Sequence, residues 1–416
     1  MKKTIVICVS VLMVLTIAAF CSILVYLTKD DPPPNDADLR LARLDIPDDE
    51  NAFTYFDLAC DALSYSDADE EKINSMLEGD EWDPALVDEV LSENEQMFEH
   101  LAKGMVCSRI EIPEIVGFEQ EMPYLRQWRR IARLSKVRAL HLSKNGREKE
   151  AFEEAIRIVE FGQMIERSRG ALIHYLVGRA VKKVGLETLR EMLADTKLSE
   201  GTLLSHIEVL AGLMADEGAL ANAFRVEYSA SADAVDSVAA GKKGSLGLQK
   251  LPTGIMFKPN KTKRMIAETL RLIIEGTGKT FKEYTQEVSP RLAKYSADKY
   301  DSKVKLLLSG NTVGVVIYHM LMPALGGTTR AKCMENVSVA ATRLLIALKC
   351  YKMKTGELPQ TLDALVPEYI DKIPADDFDG EPMRYSREKK LIYSVGEDLQ
   401  DDGGDGKDDL IYEISF

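Results

Sequence analysis

The chain has 416 residues, 45% apolar and 29% charged, with a formal net charge of −14. That length exceeds one small core and sets two domains as the prior. The acidic balance excludes nucleic acid as a partner for the chain as a whole. Six cysteines show no CxxC pair and no zinc-type spacing. Cys333 and Cys350 fall on one predicted helix, about 25 Å apart, too far to pair; Cys60 and Cys107 are free to pair in an oxidising compartment.

In chain order, the first predicted element is an anchor. Met1-Lys2-Lys3 precedes an uncharged, mostly apolar run from Thr4 to Leu27, 24 residues in all. As a helix that run spans about 36 Å, against about 30 Å of hydrocarbon core. A cleaved signal peptide would have a shorter apolar region closed by small residues. Here Ala18-Ala19 lies mid-run and Phe20 to Leu27 continue it. Bulky Phe20 also spoils a lipoprotein signal at Cys21. Residues 1–28 are therefore expected to be an uncleaved signal-anchor in the cell inner membrane, with Lys2 and Lys3 cytoplasmic. The single pass leaves the C-terminus extracytoplasmic. Residues 29–50 carry Pro32-Pro33-Pro34 and eight acidic residues between Asp30 and Glu50; they read as an extended, solvated spacer.

Residues 51–328 read as an α-helical domain. Leu125, Trp128, Ala132, Ala139 and Leu142 form one stripe at helical spacing, and Gly146 suits a left-handed cap. Ala151, Ala155, Ile158, Gly162 and Ile165 form the facing stripe of the next helix. The pair resembles the antiparallel hairpins of tetratricopeptide-like repeats, without a second copy at a fixed period. The Tyr124–Lys144 helix carries no carboxylate and clusters Arg126, Arg129, Arg130 and Arg133. Pairing with Glu148, Glu150, Glu153 and Glu154 on the neighbouring helix is expected, with an anion or phospholipid site as the rival. Residues 241–264 read as a long basic and apolar loop, suited to an anionic membrane surface, an acidic partner or disorder. The uncharged stretch between Lys305 and Arg330 reads as a buried core helix; a second span would need a longer continuous apolar run.

Local catalytic motifs fail on inspection. Gly276-Thr277-Gly278-Lys279-Thr280 ends like a phosphate-binding loop, but Ile273 stands where its first Gly belongs and a helix precedes it. Ser302-Lys303-Val304-Lys305, Ser309-Gly310-Asn311 and Lys354-Thr355-Gly356 follow the order of the penicillin-recognising motifs with the wrong spacing. His100, His141, His174, His206 and His319 show no metal-binding spacing.

The C-terminal residues 329–416 read as a small α+β domain. An amphipathic helix, Thr329–Lys354, is followed by Leu358-Pro359, a short helix around Leu362 and three strands in an antiparallel meander. The first strand is Met383–Ser386, and the closing hairpin supplies the other two. Between those two runs the loop Glu397–Asp409, with seven carboxylates against one Lys in thirteen residues. Gly-x-Leu-Pro, then Ile-Pro-x-Asp-x-Phe-x-Gly-x-Pro-x-x-Tyr at Ile373–Tyr385, then Tyr393-Ser394-x-Gly396 and an Asp/Gly loop resemble the globular part of the major pseudopilin of type II secretion. The resemblance covers about a fifth of the chain; the remainder resembles uncharacterised membrane-anchored bacterial envelope proteins. It implies a pilin-like fold with calcium in the loop. By position, Ser394, Asp398 and Asp409 match the family's ligands, and Asp401, Asp402 and Asp405 occupy its variable middle. Calcium takes six to eight oxygens at about 2.3–2.6 Å, which such a loop can offer. Leu24 stands where a pilin carries its helix Glu, so the resemblance extends to the module and not to pilus assembly.

The expected fold is mainly α: an N-terminal transmembrane helix, a helical-hairpin domain and a pilin-like module. The leading function is extracytoplasmic binding or scaffolding, with envelope or secretion proteins as partners. An accessory role in a type II secretion or pilus-like system is the alternative. An enzyme with a site assembled from distant residues is the third; clustered carboxylates of perturbed pKa in a deep pocket would favour it.

Overall fold

A computed structural model describes residues 2–115, 120–242, 256–295, 302–322 and 327–416. The chain is mainly helical, with one small antiparallel sheet. Helix α1 (Lys2–Thr28) is followed by α2 (Ala52–Ala62), α3 (Asp67–Glu78), α4 (Pro84–Glu93) and α5 (Glu95–Met105). Then come α6 (Tyr124–Lys144), α7 (Glu148–Glu166), α8 (Leu172–Leu193), α9 (Glu200–Ala211), α10 (Glu217–Ala239) and α11 (Pro259–Glu275). Short α12 (Phe281–Glu283) and α13 (Ser289–Leu292) lead to α14 (Lys303–Leu308), α15 (Thr312–Leu321) and the long α16 (Thr328–Thr355). Strands β1 (Arg384–Ser386), β2 (Leu391–Ser394) and β3 (Leu410–Glu413) form the expected meander, with Tyr385 opposite Ile392 and Ile392 opposite Tyr412.

Local signals place the helix starts. Ser66 and Asp69 form a capping box on α3, and Asp83 accepts from Ala85 and Leu86 with Pro84 in the first turn of α4. Helices α7 and α8 cross very closely. A Cβ on Gly162 would lie 2.5 Å from the Gly178 carbonyl oxygen, and one on Gly178 would lie 2.6 Å from that of Gly162. Only glycine admits such an approach. Three hydrophobic clusters result. One joins α2, α4 and α5 to α6–α8, a second joins Leu39 to α8, α10, α11 and α15, and the third runs from α6–α9 through α16 into the sheet. The module that begins near residue 329 thus shares its apolar core with α7–α9.

At the centre of that shared core sits a buried charge cluster. Lys182 on α8 donates to Glu166 on α7 at 2.8 Å and to Glu335 on α16 at 2.5 Å. All three side chains are at most 2% exposed. Burial, then the nearby Glu335 charge, pushes the Glu166 carboxyl well above its ordinary value. Burial alone would lower the Lys182 ammonium, but the two carboxylates outweigh it and raise it.

Several expectations need correction. The acidic stretch 29–50 is not a solvated spacer throughout; several of its acids are docked on the helical body. Asp30 accepts from the backbone N–H of Asn260 and Lys261 at 2.9 and 3.2 Å, capping α11 from outside. Arg271 grips Asp38 at 2.7 Å, Tyr228 donates to Asp36 at 2.8 Å, and Leu39 is buried among α10 and α11 residues. Burial pushes Asp36 up, yet hydrogen bonds from Tyr228 and Arg40 hold its carboxyl below its ordinary value. The basic loop expected over 241–264 ends earlier, because Pro259 opens α11 and Lys261, Lys263 and Arg264 are helical. Residues 243–255 of it lie outside the described residues. The single helix expected between Lys305 and Arg330 is interrupted at Gly310, with φ of 64°, leaving α14 and α15. The α6 arginines are paired, but with α3: Arg130 and Arg133 each lie 3.0 Å from Glu70, and Arg126 lies 3.6 Å from Asp67. Glu150 pairs instead with Arg147, and Glu154 with Arg157. Cys60 and Cys107 are free thiols. The described side chains of α1, Ser10–Ser22 and Val25, are exposed. Among the described residues no helix is long and apolar enough to cross a membrane; the membrane span remains an expectation of the sequence.

Candidate metal centre

Strands β2 and β3 are drawn together at the mouth of the acidic loop. Gly396 has φ of 67°, and a Cβ there would lie 2.2 Å from the Asp408 carbonyl oxygen. Leu399 also takes a left-handed backbone, φ 61°. Those turns fold the loop back, so that carboxylate oxygens of Asp398, Asp402 and Asp408 all lie within 4.8 Å of one another. Oxygens on opposite sides of a calcium ion stand about 5 Å apart, twice the usual bond length. The spacing therefore fits one such ion.

Of the residues expected from the sequence, Asp398 and Asp402 belong to this cluster. Asp408, not among them, is the third member. Asp409 lies beside it, 5% exposed. Its Oδ2 accepts from the Gly404 N–H at 2.8 Å, while Oδ1 is buried with no hydrogen-bond donor among the described residues. A buried carboxylate oxygen without a donor is costly unless a cation meets it. Asp405 is exposed and outside the converging oxygens, though its charge acts on Asp402. Partial loss of solvation raises the Asp402 carboxyl above its ordinary value, and the charges of Asp398, Asp409, Asp408 and Asp405 raise it further.

Ser394 and Asp401 serve the frame, not the cluster. Fully buried Asp376 is the hub. Its Oδ1 accepts from Ser394 Oγ at 2.8 Å and from the Phe378 N–H at 3.0 Å, and its Oδ2 accepts from the Val395 N–H at 3.0 Å and Arg384 at 2.9 Å. Asp401 accepts from Tyr393 Oη at 3.0 Å and faces Arg384 Nε at 3.4 Å. Burial and the hydrogen bond to Asp401 push the Tyr393 hydroxyl up to about 12. Asp376 stands in Ile373-Pro374-x-Asp376, and the one sign of its role in the sequence is its place shortly after a proline and ahead of a strand. Lys389 reaches the loop from β2's approach but donates to the Gly403 carbonyl at 2.7 Å, and so answers a carbonyl, not a carboxylate.

Two of the histidines are held by packing. His174 is buried against Tyr124, whose hydroxyl lies 2.9 Å from Nε2, and burial lowers its pKa to about 4. His206 stacks on Phe152 and is also pushed down by burial.

Fold and site together define a mainly helical protein with a three-stranded C-terminal module and an acidic hairpin loop able to hold a hard dication. No family model matches the chain, and no curated protein or solved structure shows significant similarity to it.

Proposed function

We propose that this chain is a single-pass, membrane-anchored extracytoplasmic protein that binds or scaffolds a partner, and that its pseudopilin-like C-terminal module is closed by calcium. The observation that carries the metal reading is the convergence of Asp398, Asp402 and Asp408 within 4.8 Å, next in sequence to Asp409, whose Oδ1 is buried without a donor among the described residues. In this reading those four aspartates hold the ion, and Asp405 adds charge nearby. Ser394 and Asp401 keep the hairpin in register through Asp376, Arg384 and Tyr393. Bound calcium supplies the counter-charge that the loop lacks. The anchor reading rests on the uncharged run Thr4–Leu27 behind Lys2 and Lys3.

The full chain is the right object to test, because α16 packs on α8 and α9. Metal-stripped protein in detergent should gain melting temperature on calcium addition, with the rise setting in at about 10⁻⁴–10⁻³ M. The matching gain in unfolding free energy should approach about 2.7 kcal/mol at a hundredfold excess over the dissociation constant. Magnesium should give much less. A melting temperature indifferent to calcium would remove the metal from this reading.

A further inference from the structure

A cavity of about 570 Å³ opens where α5 meets α6 and α7. A second, of about 220 Å³, adjoins it and shares Leu91, Arg138, Glu154 and Arg157 with it. The larger volume falls inside the usual range for small-molecule sites, about 300–1,000 Å³. Its floor is apolar: Leu91, Phe98, Leu101 and Ala102.

One cation in this cavity differs from its neighbours. Arg157 is satisfied by Glu154 at 2.8 Å, and Arg147 is satisfied by Glu150. The Arg138 guanidinium lies over the Phe98 ring, 4.5 Å from its centroid. Among the described residues no carboxylate comes within ion-pair distance of it and no acceptor takes a hydrogen bond from it, although its charge acts at longer range on Glu154 and Glu150. A guanidinium stacked on an aromatic face is already oriented, and its fork matches a carboxylate bidentately. Glu154, only 3% exposed, lines the same cavity with its Oε2 committed to Arg157. We propose that this cavity binds an organic monocarboxylate with an apolar body, the carboxylate on Arg138 and the body over Phe98, Leu101 and Ala102.

Charge selects the head group. Glu95 and Glu99 stand on the cavity wall, and Glu153 and Glu154 lie beside Arg138's other side. A phosphate dianion would meet more repulsion from these carboxylates than a single negative charge would. A neutral ligand would leave the guanidinium donors unmet.

The test uses 4-(trifluoromethyl)phenylacetate and its neutral amide, titrated into the full chain in detergent and read by fluorine NMR. The acid should bind saturably at one site and at least tenfold more tightly than the amide. Arg138→Gln should weaken the acid at least tenfold in protein that remains folded. Ala102→Trp, at an exposed position that fills the floor, should block binding from outside the core. Apolar peptides with free or amidated C-termini then compete with the probe. Displacement by the free form alone makes a peptide terminus the source of the carboxylate, and displacement by neither leaves small organic acids. An acid that does not bind, that binds no better than its amide, or that ignores Arg138→Gln would overturn the assignment.

Discussion

Among the places where the described residues bring carboxylates together, two stand in contrast. In the core, Glu166 and Glu335 flank Lys182 at 2.8 and 2.5 Å. On the surface, Asp398, Asp402 and Asp408 converge within 4.8 Å, and Lys389 reaches only a carbonyl. The core cluster carries its counter-ion on its own chain, and water cannot take over that duty. The loop faces solvent and can draw a cation from it. The contrast shows how burial decides the source of the balancing charge: inside, a missing cation is intolerable; outside, it becomes a ligand.

The largest expected effect tests the inner half. Lys182→Met should destabilise the chain by about 3–5 kcal/mol in denaturant unfolding, since it strands two buried carboxylates. Adding Glu166→Gln and Glu335→Gln should recover most of that loss. If the single variant is near neutral, the cluster is less dry than its geometry implies. The same site gives a pH test. With the Glu166 pKa raised above 4.5 in the folded state, the native chain holds a proton that the unfolded chain has released. Stability attributable to this group therefore falls as pH rises from about 4.5 toward its folded value. Wild type should lose stability relative to Glu166→Gln across that window; parallel pH profiles would refute the shift.

Smaller effects belong to the loop. Asp408→Asn should remove most of the calcium-induced gain in melting temperature while changing the metal-free protein little. Ser394→Ala should behave in the opposite way. It loses a buried hydrogen bond worth about 1 kcal/mol with or without calcium, and it should leave the calcium response intact. If both variants lose the calcium response equally, the division between cluster and frame is wrong.

Much of the architecture was legible in local pattern. Helix α6 occupies the very residues its apolar stripe marked, α16 differs from its expected bounds by one residue at each end, and the meander closes as read. These features depend on spacing within a few turns. The acidic stretch 29–50 was not legible. Asp30 finds its partners 230 and 231 residues away, and Asp38 finds Arg271 at a separation of 233. Composition reports the charge but not its distant complement. The aspartate cluster fell between these cases. Seven carboxylates mark the loop as acidic, but which of them share a point depends on backbone handedness at Leu399, Gly403, Gly404 and Gly406, all at positive φ. Asp408 enters and Asp401 turns away because of those turns, which periodicity does not encode.

The docking of Asp30 also has a mechanical consequence. Only Lys29 lies between the end of α1 and the aspartate that caps α11. Two residues reach about 7 Å at most, too little slack for the body to wander on a leash. The short link sets how far the end of α1 can move from the start of α11 while Asp30 stays bound.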